Sequence, residues 1–145
     1  MSKIEIFYED IKALKLRKNH VKKYIKYLII KEKQQNGDIS LILCSDKYLL
    51  DINNKYLNHN YFTDIITFNY VEDSVISGDL FISIDRVKKN AKEYDVSWME
   101  ELYRVIFHGL LHLIGYNDKT RDEKKIMREK EDLYLDAVDF SEIEL

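Results

Sequence analysis

Hydrophobic and polar residues alternate at the start of the chain and then change rhythm. Lys3-Ile4-Glu5-Ile6-Phe7-Tyr8 has the period of two expected of a short strand. Between Lys18 and Lys33, Val21, Tyr24, Ile25, Leu28 and Ile29 recur at helical spacing, with Lys18, Lys22, Lys26 and Lys33 largely on the other side. That pattern predicts an amphipathic helix. Asn36-Gly37-Asp38 reads as its break, and residues 39–44 as a buried strand. Ser45 or Asp46 is placed to cap a helix carrying Leu49, Leu50 and Ile52 toward Tyr56. After a polar loop at residues 58–62, Thr63-Asp64-Ile65-Ile66-Thr67-Phe68-Asn69-Tyr70 is rich in the β-branched and aromatic residues that favour strands. Glu72-Asp73-Ser74 turns the chain into a further strand from Gly78 to Ile84, and so short a connection predicts an antiparallel pair.

Asp85 is read as the cap of a helix reaching about Glu93. Ser97 with Glu100 three positions on has the form of a capping box. The helix it opens, Trp98 to Ile114, is apolar almost all round, which is the mark of a buried helix. Thr120 and Glu123 form a second such box before a charged helix that runs to roughly Asp136. The order βαβαββααα predicts an α/β (α+β mixed) fold: a small four-stranded mixed sheet packed with about five helices, the buried one central. No repeat, linker or low-complexity segment divides residues 1–145, so one domain is expected.

Composition narrows the class. Hydrophobic residues make up 46% of the chain, an ordinary globular value that argues against disorder. One cysteine, Cys44, excludes an intramolecular disulfide, and its apolar neighbours make it a core residue rather than a ligand or nucleophile. No run has the length of a membrane span or of a signal-peptide core, so a cytoplasmic protein without a membrane partner is expected. Net charge is −3, which does not advertise nucleic-acid binding, yet residues 1–36 hold ten Lys/Arg against four Asp/Glu. That basic stretch can supply phosphate contacts, although a solvated helix face explains it equally simply.

Chemistry concentrates in His108-Gly109-Leu110-Leu111-His112-Leu113-Ile114-Gly115-Tyr116-Asn117-Asp118. Imidazoles at i and i+4 share one helix face, roughly 6 Å apart along the axis, and can meet one ion. Gly115 would end the helix and let Asp118 return as a third ligand. Three protein ligands leave one tetrahedral position for water, the format of a catalytic zinc site. Two histidines and a carboxylate also suit iron(II). A zinc peptidase of the H-E-x-x-H type keeps its glutamate base where this chain has Gly109. Asp64, Thr67 and Asp79 stand as polar residues in or beside apolar strands, either as site walls or as ties between strand ends and loops. Tyr116 either stacks a base or packs the turn, while His59 and His20 read as surface residues.

The segment resembles the signature of the YbeY family, metal-dependent endoribonucleases and rRNA maturation factors, whose pattern runs H-G-x-L-H-L-x-G-Y-D-H. Thr63-Asp64-Ile65-Ile66-Thr67-Phe68 and Gly78-Asp79-Leu80-Phe81-Ile82-Ser83 are similar to two further family strands, in the family's order. The match breaks at Asn117 and at Asp118, which takes the place of a third histidine. It breaks again at Leu57, where relatives keep an arginine, so a phosphate-binding cation would have to come from elsewhere, such as the Lys18–Lys26 face. The resemblance implies one divalent metal, Zn2+ first, held by His108, His112 and Asp118. It also implies endonucleolytic cleavage of single-stranded RNA in rRNA processing and ribosome quality control, with rRNA or pre-rRNA and ribosomal or assembly proteins as partners. The catalytic base and nucleophile stay open. So do three rivals: a non-catalytic ribosome-assembly factor, a zinc metallopeptidase, and a helical core with no metal.

Overall fold

In the computed structural model, which describes residues 2–143, four strands form one mixed sheet in the order β1-β2-β4-β3. Strand β1 (Ile4–Glu9), helix α1 (Lys18–Lys31) and strand β2 (Gln35–Cys44) make a parallel crossover unit. Helix α2 (Asp46–Leu57) leads to β3 (Ile65–Asn69) and β4 (Val75–Ser83), which pair antiparallel, while β4 lies parallel to β2. Helices α3 (Ile84–Tyr94), α4 (Trp98–Ile114) and α5 (Arg121–Ala137) and a short 3-10 turn, Phe140–Ile143, complete the described chain. The α/β (α+β mixed) architecture matches the expectation from the sequence.

Two boundaries differ from that expectation, each for a local reason. Asn36-Gly37-Asp38 does not precede β2 but lies within it. The register steps from Asn36 opposite Ile76 to Ile39 opposite Gly78, so two residues of β2 face one of β4, a bulge. A Cβ on Gly37 would lie 2.1 Å from Ser77 Oγ, so the bulge requires glycine. The cap of α3 is Ser83 rather than Asp85: its hydroxyl accepts from the Arg86 N–H and donates to Asp46 Oδ1. At α4, only the Ser97 half of the capping box forms, whereas Thr120 and Glu123 complete theirs at α5.

One face of the sheet packs its isoleucines and leucines, among them Ile39, Leu41, Leu80 and Ile82, against α1 and α4 in the main core. The other face makes a smaller core with α2 through Cys44, Leu49 and Ile66. Burial pushes the Cys44 thiol up to about 12, so it packs and does not react. Helix α4 lies between the sheet and α5, with Leu102, Ile106, Leu110 and Leu111 all buried. Gly109 is what lets it settle there. A Cβ at that position would come within 2.6 Å of Ile65 Cδ1 and 3.1 Å of Leu80 Cδ2, so the residue after the first histidine is pressed against β3 and β4.

Candidate metal centre

Helix α4 ends at Gly115, whose φ of 121° lies in the region that L side chains rarely adopt. Nothing stands within 4 Å of a Cβ there, so it is the backbone angle that calls for glycine. The N–H groups of Gly115 and Tyr116 both return to the Leu111 carbonyl, and the reversed chain brings Asp118 over the last turns of the helix. A buried knot holds this turn in place. Tyr116, Tyr134 and Lys130 all donate to the Glu32 carboxylate at the end of α1. Burial acts to raise the pKa of Glu32, but those three donors outweigh it and hold the carboxyl below its ordinary value. Tyr116 therefore packs the turn; its hydroxyl is committed to Glu32.

The three expected ligands come together. His108 Nε2 and His112 Nε2 are 3.1 Å apart, and Asp118 Oδ2 lies 3.2 Å from the first and 3.3 Å from the second. In a tetrahedral zinc site with bonds of about 2.0–2.1 Å, ligand atoms stand about 3.3–3.4 Å from one another. The triangle fits such an ion as it stands. It is the one group of three or more His, Cys, Asp or Glu among the described residues with this convergence.

The protonation pattern points the same way. His108 Nδ1 donates to Glu131 Oε2 at 2.7 Å, which leaves Nε2 of the neutral ring as a bare lone pair facing the Asp118 carboxylate. Two acceptors face each other there, and only a proton or a metal cation between them relieves the repulsion. Burial disfavours a charge on His108, yet the Glu131 bond and the carboxylates of Glu131, Asp118 and Asp64 prevail, so its pKa lies above the ordinary histidine value. Glu131 is itself fixed by Arg104 at 2.9 Å, and Arg104 reaches on to Asp132 at 2.7 Å.

Two clefts meet at this group, sharing Asp64, His108 and Asp118. One, of about 370 Å³, runs between α3, α4 and α5 and has Arg104, Lys124 and Arg128 in its wall. The other, of about 530 Å³, is closed on its far side by Leu57, His59 and Tyr61 and carries no lysine or arginine. None of Lys18, Lys22 or Lys26 lines either cleft, so the cations near the triangle are those of α4 and α5 rather than of the basic first helix. Leu57, 42% exposed, occupies the wall where the family arginine was expected.

Several other expectations separate here. Asp64 stands in both clefts, with Asn90 Nδ2 donating at 3.4 Å; burial raises its pKa against the opposing influence of His108. Thr67 faces the second cleft, whereas Asp79 accepts from the Tyr70 hydroxyl and ties β4 to the loop beyond β3. His20 is not a surface residue. It is 7% exposed, with Tyr103 Oη 2.6 Å from Nδ1 and the Asp139 carbonyl 3.0 Å from Nε2. Glu131 was missed altogether, although its signal was present: Met127, Glu131, Tyr134 and Leu135 form the buried stripe of α5, and a glutamate in such a stripe needs a partner.

Fold and triangle together define an α/β protein with a histidine–histidine–carboxylate group, open to solvent clefts, on a central helix. Its family follows from comparison. The model of the family described as Endoribonuclease YbeY matches residues 4–139. Two proteins called Endoribonuclease YbeY, from Parabacteroides distasonis and Azobacteroides pseudotrichonymphae, are 47% and 46% identical to this chain. The alignments cover 91% and 89% of it and 93% of each relative. The solution structure of a Thermotoga maritima protein superposes with a TM-score of 0.70 at 30% identity, over 97% of this chain and 91% of that one. The chain belongs to the YbeY endoribonuclease family.

Proposed function

We propose that the chain, acting as one domain, is a metal-dependent endoribonuclease of rRNA maturation and ribosome quality control. His108, His112 and Asp118 hold one divalent ion, Zn2+ first. The observation that carries this reading is the triangle of ligand atoms with edges of 3.1–3.3 Å, set where two solvent clefts meet. Membership of a family named for cleavage of RNA supplies the reaction, hydrolysis of phosphodiester bonds. A bound zinc ion offers Lewis acidity and an acidic coordinated water.

The remaining work falls to the protein. Glu131 orients His108 and fixes which nitrogen carries the proton. Among the carboxylates of the first cleft, Lys124 and the exposed Arg128 are the cations that can meet the phosphates of the strand. Asp118 in place of a third imidazole adds a negative charge, which makes the ion a milder Lewis acid. Gly109 is pressed against Ile65 and Leu80, so no side chain can act from that position as the base of a peptidase does. The substrate is rRNA or its precursor, met in the cytoplasm together with ribosomal or assembly proteins. Among the described residues no helix is long and apolar enough to cross a membrane.

The test compares metal content and cleavage of structured rRNA for the wild type and His112→Ala. Stoichiometric metal and cleavage in the wild type, both lost in the variant, are expected. Wild-type protein that takes up no ion, or a variant that cleaves without one, sinks the reading.

A further inference from the structure

We propose that His59 and Tyr61 form a stacking platform for one unpaired nucleobase of the RNA strand whose phosphodiester lies at the His108–His112–Asp118 group; this rests on the endoribonuclease reading. The two rings are stacked on each other, with centroids 5.1 Å apart, an interplanar angle of 21°, and Tyr61 Oη 3.0 Å from His59 Nδ1. Each therefore keeps an outer face, and Tyr61 is 55% exposed. Both line the same cleft as the two metal-binding histidines.

The platform is held, although it sits in a loop. Asn53 on α2, only 2% exposed, donates its amide to the Tyr61 carbonyl at 2.9 Å, and its own carbonyl accepts from the His59 N–H at 3.1 Å. Asn58 turns the chain between them in the left-handed region, with φ of 54°. Asn53 thus holds the backbone at both residues and the Tyr61–His59 contact joins their rings before any ligand arrives, which lowers the entropic cost of binding. The charge around the cleft says which part of a nucleotide would lie there. This wall has no lysine or arginine to meet a phosphate, whereas α5 brings Lys124 and Arg128 to the opposite cleft. A strand crossing the group therefore places backbone phosphates on the α5 side and a base on the His59–Tyr61 side. Stacking needs an unpaired base, so the platform selects single-stranded segments without reading their sequence.

The test measures equilibrium binding of a short fluorescent oligouridylate, and of its duplex with oligoadenylate, to the metal-loaded protein and its variants. Tyr61→Ala is expected to weaken single-strand binding about 5- to 100-fold, the range for loss of one base–aromatic stack. Tyr61→Phe keeps the ring and should stay within about two-fold. An abasic nucleotide at one position should weaken wild-type binding to the same degree and cost nothing further in Tyr61→Ala, because both remove one contact. His59→Ala repeats the measurement should Tyr61→Ala fail to fold. Unchanged affinity in the folded alanine variant, fully additive losses, or equally tight binding of the duplex would overturn the platform. Cleavage is scored separately in the same samples. Cleavage with an inert Tyr61 removes the platform alone, and stacking without cleavage removes the endoribonuclease reading alone.

Discussion

His20 and His108 both stand on helices that pack in the main core, yet they do opposite things. Each ring nitrogen of His20 has its own partner, the Tyr103 hydroxyl or the Asp139 carbonyl, with the half-exposed Glu142 carboxylate farther off at 3.6 Å. That imidazole is satisfied and joins α1 to α4 and to the chain after α5. His108 has one satisfied nitrogen, toward Glu131, while the other points at His112 and at a carboxylate oxygen that both rings share. Burial separates them only in part, with 5% of the His20 side chain exposed against 24% of the His108 side chain. What distinguishes them is whether the last nitrogen meets a hydrogen-bond partner of its own or converges with other acceptors on a point that a cation would satisfy.

The sharpest way to break the comparison is to delete each ring. His108→Ala is expected to abolish stoichiometric metal uptake, read by elemental analysis after dialysis, and RNA cleavage with it. His20→Ala should keep its metal and instead lose about 2–3 kcal/mol of unfolding free energy in denaturant titration, because Tyr103 and the Asp139 carbonyl lose their buried partner. Metal retained by His108→Ala, or lost by a folded His20→Ala, would erase the distinction.

A smaller effect is expected at the residue behind the ligand. Glu131→Gln keeps the shape of the contact but removes the charge that fixes the His108 proton, and the expected loss of zinc affinity is about 10- to 100-fold. Competition with a chromophoric chelator measures it. The metal-free protein should lose some stability through the broken Arg104 pair, so the decisive reading is zinc affinity, and an unchanged affinity would make Glu131 a stabilising residue only.

Glu131 also marks the limit of what the sequence disclosed. The strands, the helices, the buried α4 and the triad itself were legible, because periodicity, capping residues and the spacing of His108, His112 and Asp118 are local patterns. The hydrogen bond from His108 to Glu131 spans 23 positions and links two helices whose packing no local pattern specifies. His20 was misread for the same reason. It sits among lysines in a basic helix, and its partners are 83 and 119 positions away. Gly109 was noticed, but its reason, contact with Ile65 and Leu80, appears only once α4 lies on the sheet. His59 and Tyr61 fall in a stretch that reads as an ordinary polar loop, and only the bonds to Asn53 show it held against the cleft.

The smallest expected effect tests the charge of the cleft wall around the triad. Glu101, 4% exposed, lines the first cleft. Burial raises its pKa to about 7; Arg104 opposes the rise, and Asp64 and Glu131 add to it. The unfolded chain ionises this group near 4.5, so between that pH and about 7 the unfolded state releases a proton that the folded state retains. Metal-free wild type should therefore lose stability as the pH rises through that window, by about 1–2 kcal/mol once water in the cleft has screened the full displacement of about 3 kcal/mol, and lose no more from this source above it. Glu101→Gln, which cannot ionise, should lose less over the same window, the remaining slope coming from Asp64 and His108, and be more stable than wild type at pH 8. Zinc in the adjoining site should shrink the difference, since a nearby cation favours the ionised carboxyl. Unfolding curves from pH 4 to 8 with and without metal decide it. A variant that follows the wild-type slope would mean that His108 and its carboxylates, rather than Glu101, govern how this wall responds to protons.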